Sequence, residues 1–386
     1  MPHRTRTRVT ALAAAAASGL LLLSACSSSA PAAQDAEAAG GDGALSACPS
    51  TVVLQTNWFP EPEHSAAYAL IDPANATIDA DAGIYSGPAI ADPNITIEVR
   101  AGGPFIGFQQ STALLYSDDS IMLAMIDTDE SVKLSKDQPT KAVYTPLQKN
   151  PQILLWDPTK YDFADLAAVG TSDATVLYFQ GATYMDYLIA QGDVRADQVD
   201  GSFDGSVTRL VAGEPVVLQG YITQEPYRLK HEFTDYGRDV DSLLIADSGY
   251  DIYPAAWSAK PDVVTAQSDC LEQLVPAMQT AQIDYMESPD ALNQAISDYL
   301  VQIDQFFQIS PEAAAYVHDV MQDDALVTDG TDGVFGSFDA DRMTRMTDLL
   351  KGIYAGTDVE VADGLTADDI YTNEFLDPSI SYAEGK

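Results

Sequence analysis

An α/β fold in two lobes with a helical C-terminal part is predicted by three features of the 386-residue chain. Short runs rich in β-branched and aliphatic residues alternate with helix-like and loop-like stretches as far as about residue 260, the mark of layered α/β structure. Beyond about residue 262 the pattern turns helical. The length also exceeds one ordinary domain of about 100 to 200 residues. With 46% hydrophobic and 20% charged residues the chain can bury a real core, which excludes disorder as its dominant state.

The elements follow in order. Residues 1–25 begin with Arg4, Arg6 and Arg8, pass through an apolar run from Ala11 to Leu23, and end Leu23-Ser24-Ala25 before Cys26. The basic start, an apolar run shorter than the ~20 residues of a membrane span, and small residues at its end predict an export signal. Leu-Ser-Ala-Cys in this position resembles the lipobox of bacterial lipoproteins. That resemblance implies cleavage before Cys26, lipid on Cys26, and a protein held to the cell membrane from outside. Residues 26–47, rich in Ser, Ala, Gly and acidic residues without apolar periodicity, predict a flexible tether, with folded structure beginning near Cys48.

Val52-Val53-Leu54-Gln55-Thr56 predicts a first strand, followed by a loop from Asn57 to His64 and a helix bearing Ala66, Tyr68, Ala69 and Leu70. Asn94 to Val99 alternates as a strand and stops at Gly102-Gly103-Pro104. Apolar runs at 121–126, 153–156, 175–179, 216–219 and 243–246 predict further strands. Ser288-Pro289 and Ser310-Pro311 each offer a helix N-cap with proline at the first helical position. Met343, Met346, Leu349, Leu350 and Ile353 recur at helical spacing and predict core packing, with Gly356 placed to end that helix. Once Cys26 is set aside, Cys48 and Cys270 remain, either as a disulfide or as two separate buried thiols.

Several function classes are excluded or disfavoured. A formal charge of −39 repels nucleic acid and anionic membrane surfaces. No G-x-S-x-G, H-E-x-x-H, C-x-x-C or G-x-x-x-x-G-K-[ST] motif is present, so the common hydrolase, zinc and P-loop chemistries lack their donors. No enzyme, cofactor or metal is expected. Asp197, Asp200, Asp204 and Asp329-Gly330-Thr331-Asp332-Gly333 miss the calcium-loop register and read as turns. His231 and His318 read as surface residues.

The most informative segment is Leu54 to Tyr68. A Trp at the carboxyl end of a first strand sits where α/β sheets bind ligands, and its indole offers a face to a planar ring or a cation. Core packing of Trp58 is the competing assignment. The strand-Trp-x-Pro loop with its following His64 and Tyr68 resembles the start of the ABC-transporter substrate-binding family for thiamine-pyrimidine precursors, nitrate and alkanesulfonates. Gln148-Lys149-Asn150-Pro151-Gln152-Ile153 resembles that family's entry into its second lobe. Gly220-Tyr221-Ile222-Thr223-Gln224-Glu225-Pro226-Tyr227 resembles its Gly-Tyr-x-Thr-x-Glu-Pro-Tyr signature, and Ser117-Asp118-Asp119 its Ser-Asp loop.

The resemblance spans roughly residues 50 to 305. It implies a two-lobed periplasmic-binding-protein (Venus flytrap) fold of type II with mixed sheets: lobe 1 over 48–147, lobe 2 over 148–252, and a helical return to lobe 1 over 253–386. It further implies an ABC permease with its ATPase as partner and a small-molecule solute between the lobes. Carried over by position, Trp58 becomes a ring-stacking wall, Asn57 and His64 polar contacts, and Ser117 an anchor on the same side. Tyr221 and Glu225, with Tyr184, would close from the second lobe. Glu225 has two possible roles, a hydrogen-bond acceptor for the solute or a carboxylate capping a helix start. The expected solute is a heteroaromatic such as a thiamine pyrimidine precursor or a flavin-like ring, with nitrate or an alkanesulfonate as the alternative. A pyrimidine-forming enzyme is not implied, because the cysteine cluster of such relatives is missing.

Overall fold

Val52, Val53 and Leu54 are buried along strand β1 (Thr51–Gln55), which becomes a central strand because it carries apolar residues on both faces. A computed structural model describes residues 43–382. The export signal, Cys26 and most of the tether lie outside the described residues.

Strands β2 (Thr77–Asp79), β3 (Ile84–Pro88), β4 (Thr96–Arg100), β5 (Ile121–Ile126) and β6 (Lys141–Tyr144) follow β1. Next come β7 (Gln152–Trp156), β8 (Thr175–Leu177), β9 (Val199–Asp200), β10 (Val216–Tyr221), β11 (Asp241–Leu244) and β12 (Ala256–Ala259). They form a seven-stranded sheet in the order β2-β3-β4-β1-β5-β12-β6 and a five-stranded sheet in the order β11-β7-β10-β8-β9. Both sheets are mixed. In the first, β1 runs parallel to β4 and β5, with Leu54 opposite Val99 and Leu123, while β12 pairs antiparallel to β5 and β6. In the second, β10 runs antiparallel to β7 and parallel to β8.

The fold begins before Cys48. Leu45 is fully buried, its amide donates to Asp92 Oδ2 at 3.3 Å, and the Ala47 amide donates to Gln273 Oε1 at 3.0 Å. Residues 43–47 are therefore a folded lead-in and not the end of a tether; one leucine among small residues has no periodicity to announce it. A disulfide joins Cys48 to Cys270 near the start of the helix Ser268–Glu287. That helix buries Leu271, Leu274, Val275 and Met278 in the core of the first sheet.

Other boundaries shift by local chemistry. Ser310 caps the helix Pro311–Asp323 by accepting from the Ala313 amide at 3.1 Å. Ser288 instead closes the preceding helix, and Pro289 occupies the N-cap of Asp290–Ile303. The run at 243–246 divides, with Leu244 ending β11 and Ile245–Ser248 forming a 3-10 turn. Met343, Met346 and Leu350 of the helix Ala340–Tyr354 are buried in a core shared by Leu154 and Trp156 of the second sheet and Ala142 and Ala256 of the first. His318 is buried as well, its Nε2 lying 3.0 Å from the Met286 carbonyl oxygen, whereas His231 is exposed.

Candidate functional site

Parallel strands place their carboxyl ends on one side of a sheet, and the loops after β1 and β5 accordingly emerge together. They open onto a cavity of about 1060 Å³, whose opposite wall is built from residues around β8, β9 and β10.

Trp58 is set on that rim by its backbone. Its carbonyl accepts from Gly102 N–H at 2.8 Å and from the Thr56 hydroxyl at 2.9 Å. The half-buried indole lies edge-on to Phe59 and Phe307, with ring centroids 5.6 and 6.3 Å away, and 5.9 Å from Phe108. It lines the cavity and also borders the core, so both assignments made from the sequence describe part of its surface.

Asn57, His64, Tyr184, Tyr221 and Glu225 line the same cavity. The Tyr184 hydroxyl donates to Gln219 Oε1 at 2.7 Å, and that oxygen also accepts from the Phe179 amide at 2.9 Å, which locks this wall. Glu225 begins the helix Glu225–His231, and its carboxylate accepts from the Tyr221 amide at 2.6 Å. It ties down the end of β10 and lines the cavity at once.

Ser117 is the exception. It stands exposed at the far end of the helix Ser111–Ser117, its hydroxyl donating back to the Leu114 carbonyl, and does not line the cavity. The helix presents its other end: Gln110, its N-cap, lines the cavity. Seven residue steps from Gln110 carry Ser117 roughly 10 Å along the axis at about 1.5 Å per residue.

Among the described residues, seven carboxylates line the cavity, Glu61, Glu63, Asp127, Asp129, Glu130, Asp204 and Glu225, against two cations, Lys133 and Arg228. Burial raises the carboxyls of Glu61 and Glu63, and the neighbouring acidic groups add to the rise. Asp127 is pushed up to about 7 by burial first and by Asp129 second, although its Oδ1 accepts from the Ala255 amide at 2.7 Å. Burial also raises Asp129, which accepts from the Tyr250 hydroxyl at 2.8 Å, and Glu130, which accepts from Thr112. His64 Nε2 lies 3.3 Å from Glu61 Oε1, yet burial holds this imidazole down at about 3 and neutral.

The acidic residues were the part that sequence reasoning missed. Glu61 and Glu63 stood inside the informative loop, and Asp127-Thr128-Asp129-Glu130 follows β5 directly. The rule that ligands gather at the carboxyl ends of parallel strands would have marked both.

No family profile and no curated protein matches the chain. Solved structures do. The periplasmic aliphatic sulphonate binding protein SsuA from Escherichia coli superposes with a TM-score of 0.54 at 9% identity, covering 80% of this chain and 88% of that one. A ligand binding component of an ABC-type import system from Staphylococcus aureus, solved with zinc bound, gives 0.51 at 11% identity, covering 87% and 99%. A protein of Bordetella bronchiseptica RB50 gives 0.51 at 13% identity, covering 84% and 95%. At these identities the likeness is one of architecture, and it agrees with the two mixed sheets and their flanking helices: the chain has the fold of the periplasmic binding proteins.

Proposed function

We propose that the protein is the extracytoplasmic solute-binding component of an ABC importer, lipid-anchored through Cys26, and that it captures a small heteroaromatic solute without transforming it. The observation that carries this reading is the cavity of about 1060 Å³ walled from both sheets and edged by Trp58, Phe108, Phe306 and Phe307. A volume of this size suits a drug-sized solute, and rings at the rim give a planar molecule faces to stack on. The names of the Escherichia coli and Staphylococcus aureus structures, a sulphonate binding protein and an import-system component, support the receptor role. A sulfonate or nitrate anion, the second possibility, would enter a lining in which carboxylates outnumber cations seven to two.

A thermal-shift screen of the protein against aminopyrimidines, flavins, alkanesulfonates and nitrate tests the proposal. A true solute at 100 times its Kd adds about 2.7 kcal/mol of apparent stability. A heteroaromatic hit is expected; catalytic turnover of that hit, or stabilisation by none of the four classes, would remove the proposal. For the anchor, Cys26→Ala should release the protein from the membrane fraction, and retention there would refute it.

A further inference from the structure

Resting on the receptor reading, we infer that the solute carries an organic cationic group, such as an ammonium, an amidinium or a charged ring nitrogen, which lodges against Glu61 and Glu63 while its ring packs on the aromatic rim.

Glu63 is 7% exposed and lines the cavity, and its Oε2 completes no hydrogen bond among the described residues. Thr223 and Gln224 lie close enough to temper its rise, but Thr223 Oγ1 and Gln224 Nε2 complete no bond of ordinary geometry either. Buried polar atoms of this kind are normally paired, and here Glu63 and Gln224 border an open volume that a bound molecule would fill. The charge around them is unbalanced in the same sense. Beyond the effect of burial, Glu225 raises the carboxyls of both Glu61 and Glu63, Glu63 raises that of Glu61 further, and the neighbouring His64 is neutral. Of the two cations lining the cavity, Lys133 acts on Asp129 and Glu130, while Arg228 faces Glu225 and pairs with Glu232 at 3.3 Å. A cation in the cavity would therefore supply the positive charge that holds Glu61 and Glu63 ionised.

The rim fits an organic cation. Trp58 and Phe307 lie 6.3 Å apart edge to face, and the adjoining Phe306, 71% exposed, packs on Phe59 at 5.3 Å, so these apolar faces stand against the acidic loop that bears Trp58 and Phe59. An indole or phenyl face attracts a cation that has shed its water. A bare metal ion is the poorer occupant, since the carboxylates among the described residues do not converge as a metal-holding group.

The test compares N-methylquinolinium with quinoline, which is neutral at pH 7.5, and with 8-quinolinesulfonate, each titrated calorimetrically into the full chain. The cation is expected to bind about tenfold more tightly than quinoline, and the sulfonate more weakly than both. Glu61→Gln and Glu63→Gln should each bring the cation-to-neutral ratio to within about threefold of unity. Should Glu63→Gln fail to fold, Glu61→Gln, whose side chain is 14% exposed, carries the comparison. Quinoline binding as tightly as the cation, or a ratio unmoved by Glu61→Gln, overturns the inference. If no quinoline binds but the thermal-shift screen yields a neutral or anionic solute, the cation falls and the receptor stands; if neither experiment yields a ligand, both fall.

Discussion

The Gly102 amide donates to the Trp58 carbonyl at 2.8 Å, and the two backbones run so close that a β-carbon on Gly102 would lie 2.5 Å from the Trp58 nitrogen. The indole at the cavity rim is thus placed by a glycine some forty residues away in sequence, on the loop following the neighbouring parallel strand β4. Gly102→Ala should push the Trp58 loop outward. We expect a loss of about 1–3 kcal/mol in denaturant unfolding, together with weakened solute binding, because atoms at that separation must move. Full stability and full affinity in the variant would show that the contact is soft.

Trp58→Ala should weaken binding of any aromatic solute by about tenfold or more while leaving a cooperative unfolding transition, since the indole is only half-buried. Ser117→Ala is the contrasting variant. Its hydroxyl serves only its own helix end, so affinity should be unchanged and stability altered by less than about 0.5 kcal/mol. Reversal of these two results would relocate the site.

Cys48 and Cys270 close a loop with a sequence separation of 222. Neither should react with a thiol reagent in the oxidised folded protein. Replacing both by serine should cost several kcal/mol, about 5 at most on the chain-entropy estimate for so long a loop. Reactivity of either thiol without reductant would contradict the bond.

The cavity acids and His64 oppose each other with pH. Asp127 is raised from 3.8 to about 7, so the folded protein keeps a proton that the unfolded chain releases. Stability from this group is full below about pH 4 and is lost as pH climbs through 7. His64, lowered from 6.5 to about 3, acts the other way: the unfolded chain takes up the proton first, and stability is lost as pH falls from about 6.5 towards 3. The stability of the native protein relative to Asp127→Asn should therefore decline between pH 4 and 7.5. Relative to His64→Gln it should decline on acidification. Parallel pH curves for native protein and variants, measured by chemical denaturation, would contradict these assignments.

The sequence by itself determined those features that neighbouring residues enforce on one another. The β-branched run of β1, the apolar run of β5 and the Ser310-Pro311 start of a helix were legible because hydrophobic period and capping chemistry act over a few residues. The Trp58 loop was legible for the same reason, as a turn sequence following a strand. Tertiary structure alone decided which residues meet. Strand order β4-β1-β5 brings Gly102 to Trp58 and Asp127 to the cavity that Glu61 and Glu63 border, while the second sheet supplies Glu225 and Gln224. It turned the helix Ser111–Ser117 so that its first end, and not Ser117, reaches the cavity. It also decided charge, because an acid's proton affinity depends on the water and the counter-ions that the folded chain removes from around it, and neither is written in the order of residues.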